Sequence, residues 1–340
     1  MCSFHRYMRS FHRSTEVLLF QDARPIGRGY SPCDPAGMTR HGRDSRKTLS
    51  ESAVAVPKRA GIGLALGGGF ARGFAHLGVL QVLEQNHIPI SHIAGTSVGS
   101  ILGAAYASGA PLARIIETCR TLRFRDIARW RVSRLGLASN HRLENLIERV
   151  FESRRFEDLR IPLAVVATDL TSGEPVVFTQ GNLVDAIRAS CAFPGLFEPV
   201  EIGTRCLADG GLVAPVPTRA ARDLGAAPVI GVSVGMQDGH RGAPTNIFQV
   251  VSRAVSAAQK HQLEIWERYA DLVLRPDVQF LAWDDFDRAE EAIAAGADAA
   301  RRALTRIEKL LVQKQEAALD FQVRLESEDK SHLWLAEALR

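Results

Sequence analysis

The sequence predicts an α/β protein: a single three-layer domain with a mostly parallel central sheet flanked by helices. Three observations carry this. Two strand-turn-helix units follow one another, Ile62 to Leu83 and Ile90 to Ser108. The turns between strand and helix are rich in glycine. Further short apolar runs recur between segments of helical spacing, as Leu163 to Ala167 and Val229 to Val234 do. Strands separated by helical crossovers pair in parallel and are covered by helices on their faces.

In chain order, Met1 to Arg59 has no sustained period and few large apolar residues, and reads as a disordered basic leader (1–59). Val17-Leu18-Leu19-Phe20 is too short for the core of a signal peptide. The leader is compatible with an organelle transit peptide, with a basic tail drawn to anionic lipid, or with a true start at Met38. A folded domain is expected over 60–312. Gly61 to Leu66 is an apolar run of buried-strand type that enters Gly67-Gly68-Gly69, and Phe74, Leu77, Leu80, Val82 and Leu83 then fall at helical spacing. Ile90 to Ala94 is a second strand and Val98 to about Ser108 its helix, stopped by Gly109 and Pro111. Leu112 to Leu122 is helical, and the basic, aromatic stretch Arg123 to Arg131 is either a lid or lipid-surface patch or a solvated amphipathic helix.

Leu143 to Phe151 is a helix introduced by Ser139 or Asn140, Pro162 to Thr168 a buried strand, and Thr171 to Glu174 a turn into the strand Pro175 to Thr179. Leu183 to Cys191 is helical and breaks into the apolar loop Phe193 to Phe197, suited to a pocket wall or to core. Arg205 to Ala208 is strand-like and delivers Asp209-Gly210-Gly211. Val229 to Val234 is buried strand, Thr245 to about Tyr269 one long helix, Leu272 to Leu274 a short strand, and Asp284 onward a helix running past Leu311. Residues 313–340 read as a charged C-terminal helical extension.

Composition narrows the function. With 340 residues, 46% hydrophobic and 24% charged, the chain can bury a sizeable core. Eleven basic against five acidic residues up to Arg59 place +6 in the leader, so the remainder carries −2 of the net +4 and nucleic acid is not an expected partner. Cys2, Cys33, Cys119, Cys191 and Cys206 are odd in number and scattered, which argues for a reducing, cytoplasmic compartment and against both a disulfide framework and a zinc site. No apolar run reaches the roughly 20 residues that span a bilayer.

Three glycine-marked turns end predicted strands, and open parallel sheets place their ligand crevice at that edge. Gly95-Thr96-Ser97-Val98-Gly99 has the Gly-x-Ser-x-Gly form of a nucleophile elbow, which presents a serine on a sharp strand-to-helix turn. Such a serine needs a base. Asp209, on a turn freed by two glycines, is the candidate base, although Asp-Gly-Gly is also an ordinary turn. Gly67, Gly68 and Gly69 offer backbone N–H groups for an oxyanion hole. They could instead cradle phosphate, but the Gly-Lys-Ser/Thr ending of a P-loop is missing. A Ser-Asp-His triad would need a histidine after the acid, and His240 is the nearby candidate, flanked by Gly239 and Arg241 as in a surface turn. His76 and His92 sit in apolar surroundings and read as structural. No ligand-spaced cluster appears, so neither metal nor cofactor is expected.

Gly67-Gly68-Gly69-Phe70-Ala71-Arg72-Gly73, then Gly95 to Gly99, then Asp209-Gly210-Gly211, in that order, resembles the patatin-like phospholipase family, in particular its short bacterial members and the catalytic domain of neuropathy target esterase. The resemblance covers about Gly61 to Leu311. It implies a Ser-Asp dyad with Ser97 as nucleophile, Asp209 as base and the Gly67 to Gly69 amides as oxyanion hole. Arg72 holds the family's basic position, steadying the loop or meeting a phosphate headgroup of the substrate. The expectation is therefore a serine hydrolase of fatty acyl esters of phospholipids or lysophospholipids, cytoplasmic or peripheral at the inner membrane face, with lipid as its partner. An esterase or thioesterase with a triad, and a lipid-binding protein without catalysis, are the alternatives.

Overall fold

The computed structural model describes residues 61–130, 135–151, 153–235, 243–245 and 247–338, with side chains described as far as residue 316 apart from 130 and 315. The expected leader (1–59), Arg131 and His240 lie outside the described residues. The strands are β1 (Ile62–Leu66), β2 (Ile90–Thr96), β3 (Arg129–Trp130), β4 (Ala138–Ser139), β5 (Leu163–Asp169), β6 (Pro175–Phe178), β7 (Val200–Ile202), β8 (Arg205–Asp209), β9 (Val229–Val232) and β10 (Leu272–Leu274). The helices are α1 (Ala75–Gln85), α2 (Val98–Ala107), α3 (Leu112–Thr121), α4 (Phe124–Ile127), α5 (Arg142–Val150), α6 (Leu183–Ser190), α7 (Thr218–Asp223), α8 (Ile247–Lys260), α9 (Leu263–Glu267) and α10 (Ala289–Ala338).

Eight strands form one mixed sheet in the order β10-β9-β1-β2-β5-β8-β7, with β6 on the other edge of β5. From β10 to β5 every pairing is parallel. β6, β8 and β7 join antiparallel. The two-residue alternation of a strand sorts its side chains between the faces. Ile62, Leu64 and Leu66 of β1 and Leu163, Val165 and Ala167 of β5 enter the larger core, built with α1, α2, α3, α5, α6 and α10. Ala65, Ala94, Ala164 and Val166 face a smaller core with Ala220 and Ala221 of α7 and Trp266 of α9. Bulky side chains on one face and small ones on the other give a thick and a thin helical layer, which is the expected three-layer arrangement.

Parallel pairing was expected throughout the crevice, and there the structure differs. β6 and β2 pair with the same residues of β5, Val165 and Val166, and so occupy its opposite edges. β8 pairs with Ala167 to Asp169, two of which also pair with β6, so β8 continues the edge that β2 leaves. Thr96 stands opposite Val166 and Asp209 opposite Ala167, the next residue. The two strands meet head to head.

Instead of one long helix from Thr245 to Tyr269 there are two, because the chain turns at His261 and Gln262. The Gln262 side chain donates to the Leu212 carbonyl at 2.9 Å and Thr218 Oγ1 donates to the Trp266 carbonyl, bonds that fix α9 against the thin layer. α10 packs along α1 at a glycine crossing. A Cβ on Gly78 would lie 1.9 Å from the Ile293 carbonyl oxygen, and one on Gly296 1.8 Å from that of Ala75. Gly78→Val should therefore force the two backbones apart and cost about 3 kcal/mol, read as a lower midpoint in urea unfolding.

Candidate active site

Ser97 is the single residue between β2 and α2, with φ 54 and ψ −125. A non-glycine residue at positive φ is held there at a cost of order 1–3 kcal/mol, so its surroundings must impose it. They do so by hydrogen bonds. The Ser97 N–H donates to Ser190 Oγ at 2.8 Å, and that hydroxyl donates to the Val166 carbonyl at 2.6 Å. Ser100 Oγ donates to the Ser97 carbonyl at 2.6 Å. Close approach is equally specific: a Cβ on Gly99 would sit 2.2 Å from the Leu66 carbonyl oxygen. The elbow is thereby pinned to β1, β5 and α6 at once.

Asp209 arrives at the end of β8, and a Cβ on the following Gly210 would lie 2.1 Å from the Val166 carbonyl oxygen, so a side chain there is incompatible with the head-to-head junction. The Gly211 N–H donates to Asp209 Oδ1 at 2.7 Å, and Thr168 Oγ1 donates to the Asp209 carbonyl at 2.8 Å. The carboxylate is 4% exposed. Burial raises its pKa from the ordinary 3.8 to about 6, against the opposing pull of the Gly211 N–H and of the Ser97 hydroxyl, which hydrogen-bonds to it. A carboxylate destabilised in this way is a better proton acceptor and is still ionised at neutral pH.

The glycine loop is not three equivalent amides. The Gly67 N–H donates to the Val232 carbonyl and the Gly68 N–H to the Pro215 carbonyl, each at 3.1 Å. Gly69 is the member of the three whose N–H is not committed to a carbonyl among the described residues. His76, fully buried, donates from Nε2 to the Gly67 carbonyl at 2.8 Å, and burial lowers its pKa to about 4, so it stays neutral and structural. Arg72 is 2% exposed and donates from Nε to the Leu281 carbonyl at 2.8 Å, a bond that ties the loop to the segment before α10. His92, at the start of β2, contacts Ser91 Oγ at 3.0 Å, five residues before the serine.

Ser97 opens on a cavity of about 60 Å³ with apolar walls from Phe70, Ile101, Leu102, Ile115, Leu143 and Phe286. Among the described residues no histidine lines it. Phe70 of its wall belongs to an aromatic cluster: it meets Phe193 and Trp283 edge-on at 5.3 Å, and Phe124 packs on Trp283 at 5.7 Å. The Phe193 to Phe197 loop contributes Phe197 to the wall, and α4, in the first part of the basic stretch, contributes Ile127. Cys191 lies in the same cavity, its thiol held neutral by burial and by the Asp209 charge. Ser190, Cys191 and His76 had no motif to mark them, since each acts on a partner distant in sequence or through packing.

Two outcomes follow from this geometry. Ser190→Ala leaves the Ser97 N–H and the Val166 carbonyl without their buried partner, so it should cost about 1–3 kcal/mol of stability and lower kcat more than it changes KM for any ester substrate. The raised pKa of Asp209 means that its ionisation destabilises the folded state above pH about 6 and has no effect below its ordinary 3.8. Asp209→Asn should accordingly be more stable than the native protein at pH 8 by up to about 3 kcal/mol, with the difference vanishing toward pH 4 in thermal melts.

Residues 64–222 match the family model described as patatin-like phospholipase. An NTE family protein of Mycobacterium bovis is 38% identical over 176 residues, 51% of this chain and 49% of that one. Patatin-like phospholipase domain-containing protein 6 of Homo sapiens is 34% identical over 185 residues, 52% of this chain and 14% of its own. Lysophospholipase NTE1 of Candida glabrata is 29% identical over 268 residues, 70% of this chain and 16% of its own. The chain thus spans about half the length of the mycobacterial relative and a small part of the other two. VipD of Legionella pneumophila aligns in three dimensions with a TM-score of 0.45 at 16% identity, covering 73% of this chain and 67% of that one. The matched segment holds the glycine loop, the elbow and Asp209, the three features that meet at the junction of β2 and β8. The likeness to patatin-like phospholipases therefore covers residues 64–222, the part of the chain that builds this junction.

Proposed function

We propose that the protein is a serine hydrolase that cleaves fatty acyl esters of phospholipids or lysophospholipids through a Ser97-Asp209 dyad. The observation that carries this reading is the pairing of a serine at positive φ with a buried carboxylate of raised pKa, at the mouth of an apolar cavity. Ser97 Oγ attacks the acyl carbonyl as its proton passes to Asp209. The oxyanion is met by the Gly69 N–H, narrowing the expected three-glycine hole to the amide that is not otherwise engaged, together with the Val98 N–H at the start of α2. Asp209 then protonates the departing alkoxide, leaving an acyl-enzyme. Water deprotonated by Asp209 attacks the acyl-enzyme and releases the fatty acid.

The apolar walls suit the methylene chain of a fatty acyl group. Arg72 acts here by steadying the loop through Leu281 rather than by reaching the headgroup. No described helix is long and apolar enough to cross a membrane. The names of the fungal and human relatives, a lysophospholipase and a phospholipase-domain protein, support lipid as substrate. The free thiols of Cys119, Cys191 and Cys206 support a cytoplasmic place, with peripheral contact at the inner membrane face.

Hydrolysis of a p-nitrophenyl acyl ester should fall at least about a thousandfold in Ser97→Ala and in Asp209→Asn, with labelling by an alkyl fluorophosphonate lost in Ser97→Ala. Retained turnover in Ser97→Ala would refute the mechanism, and a folded protein inert to ester and probe alike would favour lipid binding without catalysis. The kcat/KM profile should lose activity on acidification with an apparent pKa of about 6, as Asp209 becomes protonated.

A further inference from the structure

Three helices each turn one face toward the cavity at Ser97. α2 lines it from Val98 to Ala105, α3 from Ile115 to Leu122 and α5 from Leu143 to Val150, in each case two residues seven positions apart, which fall on the same face after about two turns. At about 1.5 Å per residue such a face is about 10 Å long. The helix directions fix which end is which. Ser97 caps the start of α2, so Ala105 is the far end. Only Ser108 to Pro111 separate α2 from α3, and so short a connection turns the chain back, setting Ile115 level with Ala105 and Leu122 with the serine. α5 is held at both ends. Arg114, next to Ile115, donates from Nη2 to the Arg149 carbonyl, next to Val150, at 2.6 Å. Asn140 Nδ2 donates at 2.7 Å to the Arg188 carbonyl of α6, two residues before the Ser190 hydroxyl that holds the Ser97 N–H. Past Ala105 the layer is closed, because the Ala107 carbonyl accepts from the Arg160 and Ile161 N–H groups at 2.8 and 3.2 Å.

We propose that Ala105, Ile115 and Val150 form the blind end of an acyl channel and set the preferred substrate as an ester of a medium-length acyl group, about eight carbons long. An extended chain advances about 1.2 Å per bond, so about eight carbons fill the distance from the serine to that end. All three residues are buried, Ala105 and Ile115 at 1% exposure and Val150 at 5%. A longer chain must displace packed side chains, and a shorter one leaves apolar wall unfilled, so both are disfavoured against the chain that fits. The length limit names the acyl class for the hydrolysis proposed above and rests on that reading for its effect on rate, whereas the preference in binding is a property of the cavity alone.

The test is the full chain on p-nitrophenyl butyrate, octanoate and laurate. The octanoate ester should have the highest kcat/KM, with the laurate ester lower by about tenfold or more. Ile115→Ala and Val150→Ala lengthen the channel and should each raise the laurate-to-octanoate ratio of kcat/KM about tenfold, and Ala105→Leu shortens it and should lower the octanoate-to-butyrate ratio by about as much. These ratios do not depend on the amount of active enzyme, so a variant that folds in low yield still reports. A second measurement needs no turnover: methyl octanoate should raise the melting temperature of Ser97→Ala more than methyl laurate does at equal concentration. Rates that climb undiminished from octanoate to laurate, ratios unchanged in all three variants, or equal shifts of the melting temperature would each overturn the length limit and leave the hydrolysis standing. A protein inert to every ester, whose Ser97→Ala form still prefers methyl octanoate, would remove the hydrolysis and sustain the length limit.

Discussion

The structure depends on how one edge of β5 is shared. β2 runs parallel along it and ends opposite Val166, and β8 runs antiparallel and ends opposite Ala167. Two residues far apart in sequence, Ser97 and Asp209, are therefore delivered to one point by backbone hydrogen bonding rather than by a flexible loop. The junction is tight because the Val166 carbonyl serves both sides of it. It accepts the Ser190 hydroxyl that holds the elbow, and it passes so close to Gly210 that no side chain fits. Thr96 Oγ1 adds a bond to the Ala214 carbonyl at 2.9 Å, binding the end of β2 to the segment that follows the aspartate. Rigid elements position reactive groups more closely than loops do, and the geometry of a dyad tolerates little drift.

That junction carries two local costs. Ser97 occupies a backbone region that L residues avoid, and Asp209 keeps a carboxylate out of water. Neither is relieved by a salt bridge: the Asp209 partners are an amide and a hydroxyl. An arginine in contact would stabilise the carboxylate and depress its pKa, which would make it a poorer base. The buried guanidinium of Arg72 in the loop is instead directed to the Leu281 carbonyl. The large core beneath α1, α2 and α10 offsets these costs, and strain collected at one point against a packed background is the ordinary distribution for a catalytic centre.

The legibility of the sequence follows the range of the interactions. The elbow, the glycine loop and the strand-helix alternation are written in neighbouring residues, and they predicted β1, α1, β2 and α2 with boundaries within a few positions. The same local reading could not give the orientation of β8. Three-residue β7 and five-residue β8 show no period that separates parallel from antiparallel pairing, so the argument from parallel strands does not apply to Asp209, which reaches Ser97 on an antiparallel strand instead. The commitment of the Gly67 and Gly68 amides to Val232 and Pro215 is a contact across more than a hundred residues, which no motif records. Ser190 reads as an unremarked helix terminus until α6 is laid over β5. The break between α8 and α9 lacks glycine or proline, because side-chain bonds to Leu212 and Trp266 impose it from outside.

These long-range contacts also explain why the glycine loop acts as a partition rather than a lid. With Gly67 bonded to the end of β9 and Gly68 to the segment after Asp209, with the Gly67 carbonyl held by His76, and with Arg72 fastened to the chain before α10, little of its backbone is left to move. The cavity at Ser97 is narrow and apolar, and the pocket between Pro215 and α8 is wider and of mixed character. A flexible loop would absorb a change on one side without passing it on. A loop bonded at both ends transmits a displacement of Pro215 directly to Gly68, whose Cβ position is only 3.3 Å from the Ser97 Cβ. The bonds that hold the proposed oxyanion donors are thus also the bonds through which a displacement of Pro215 reaches Ser97.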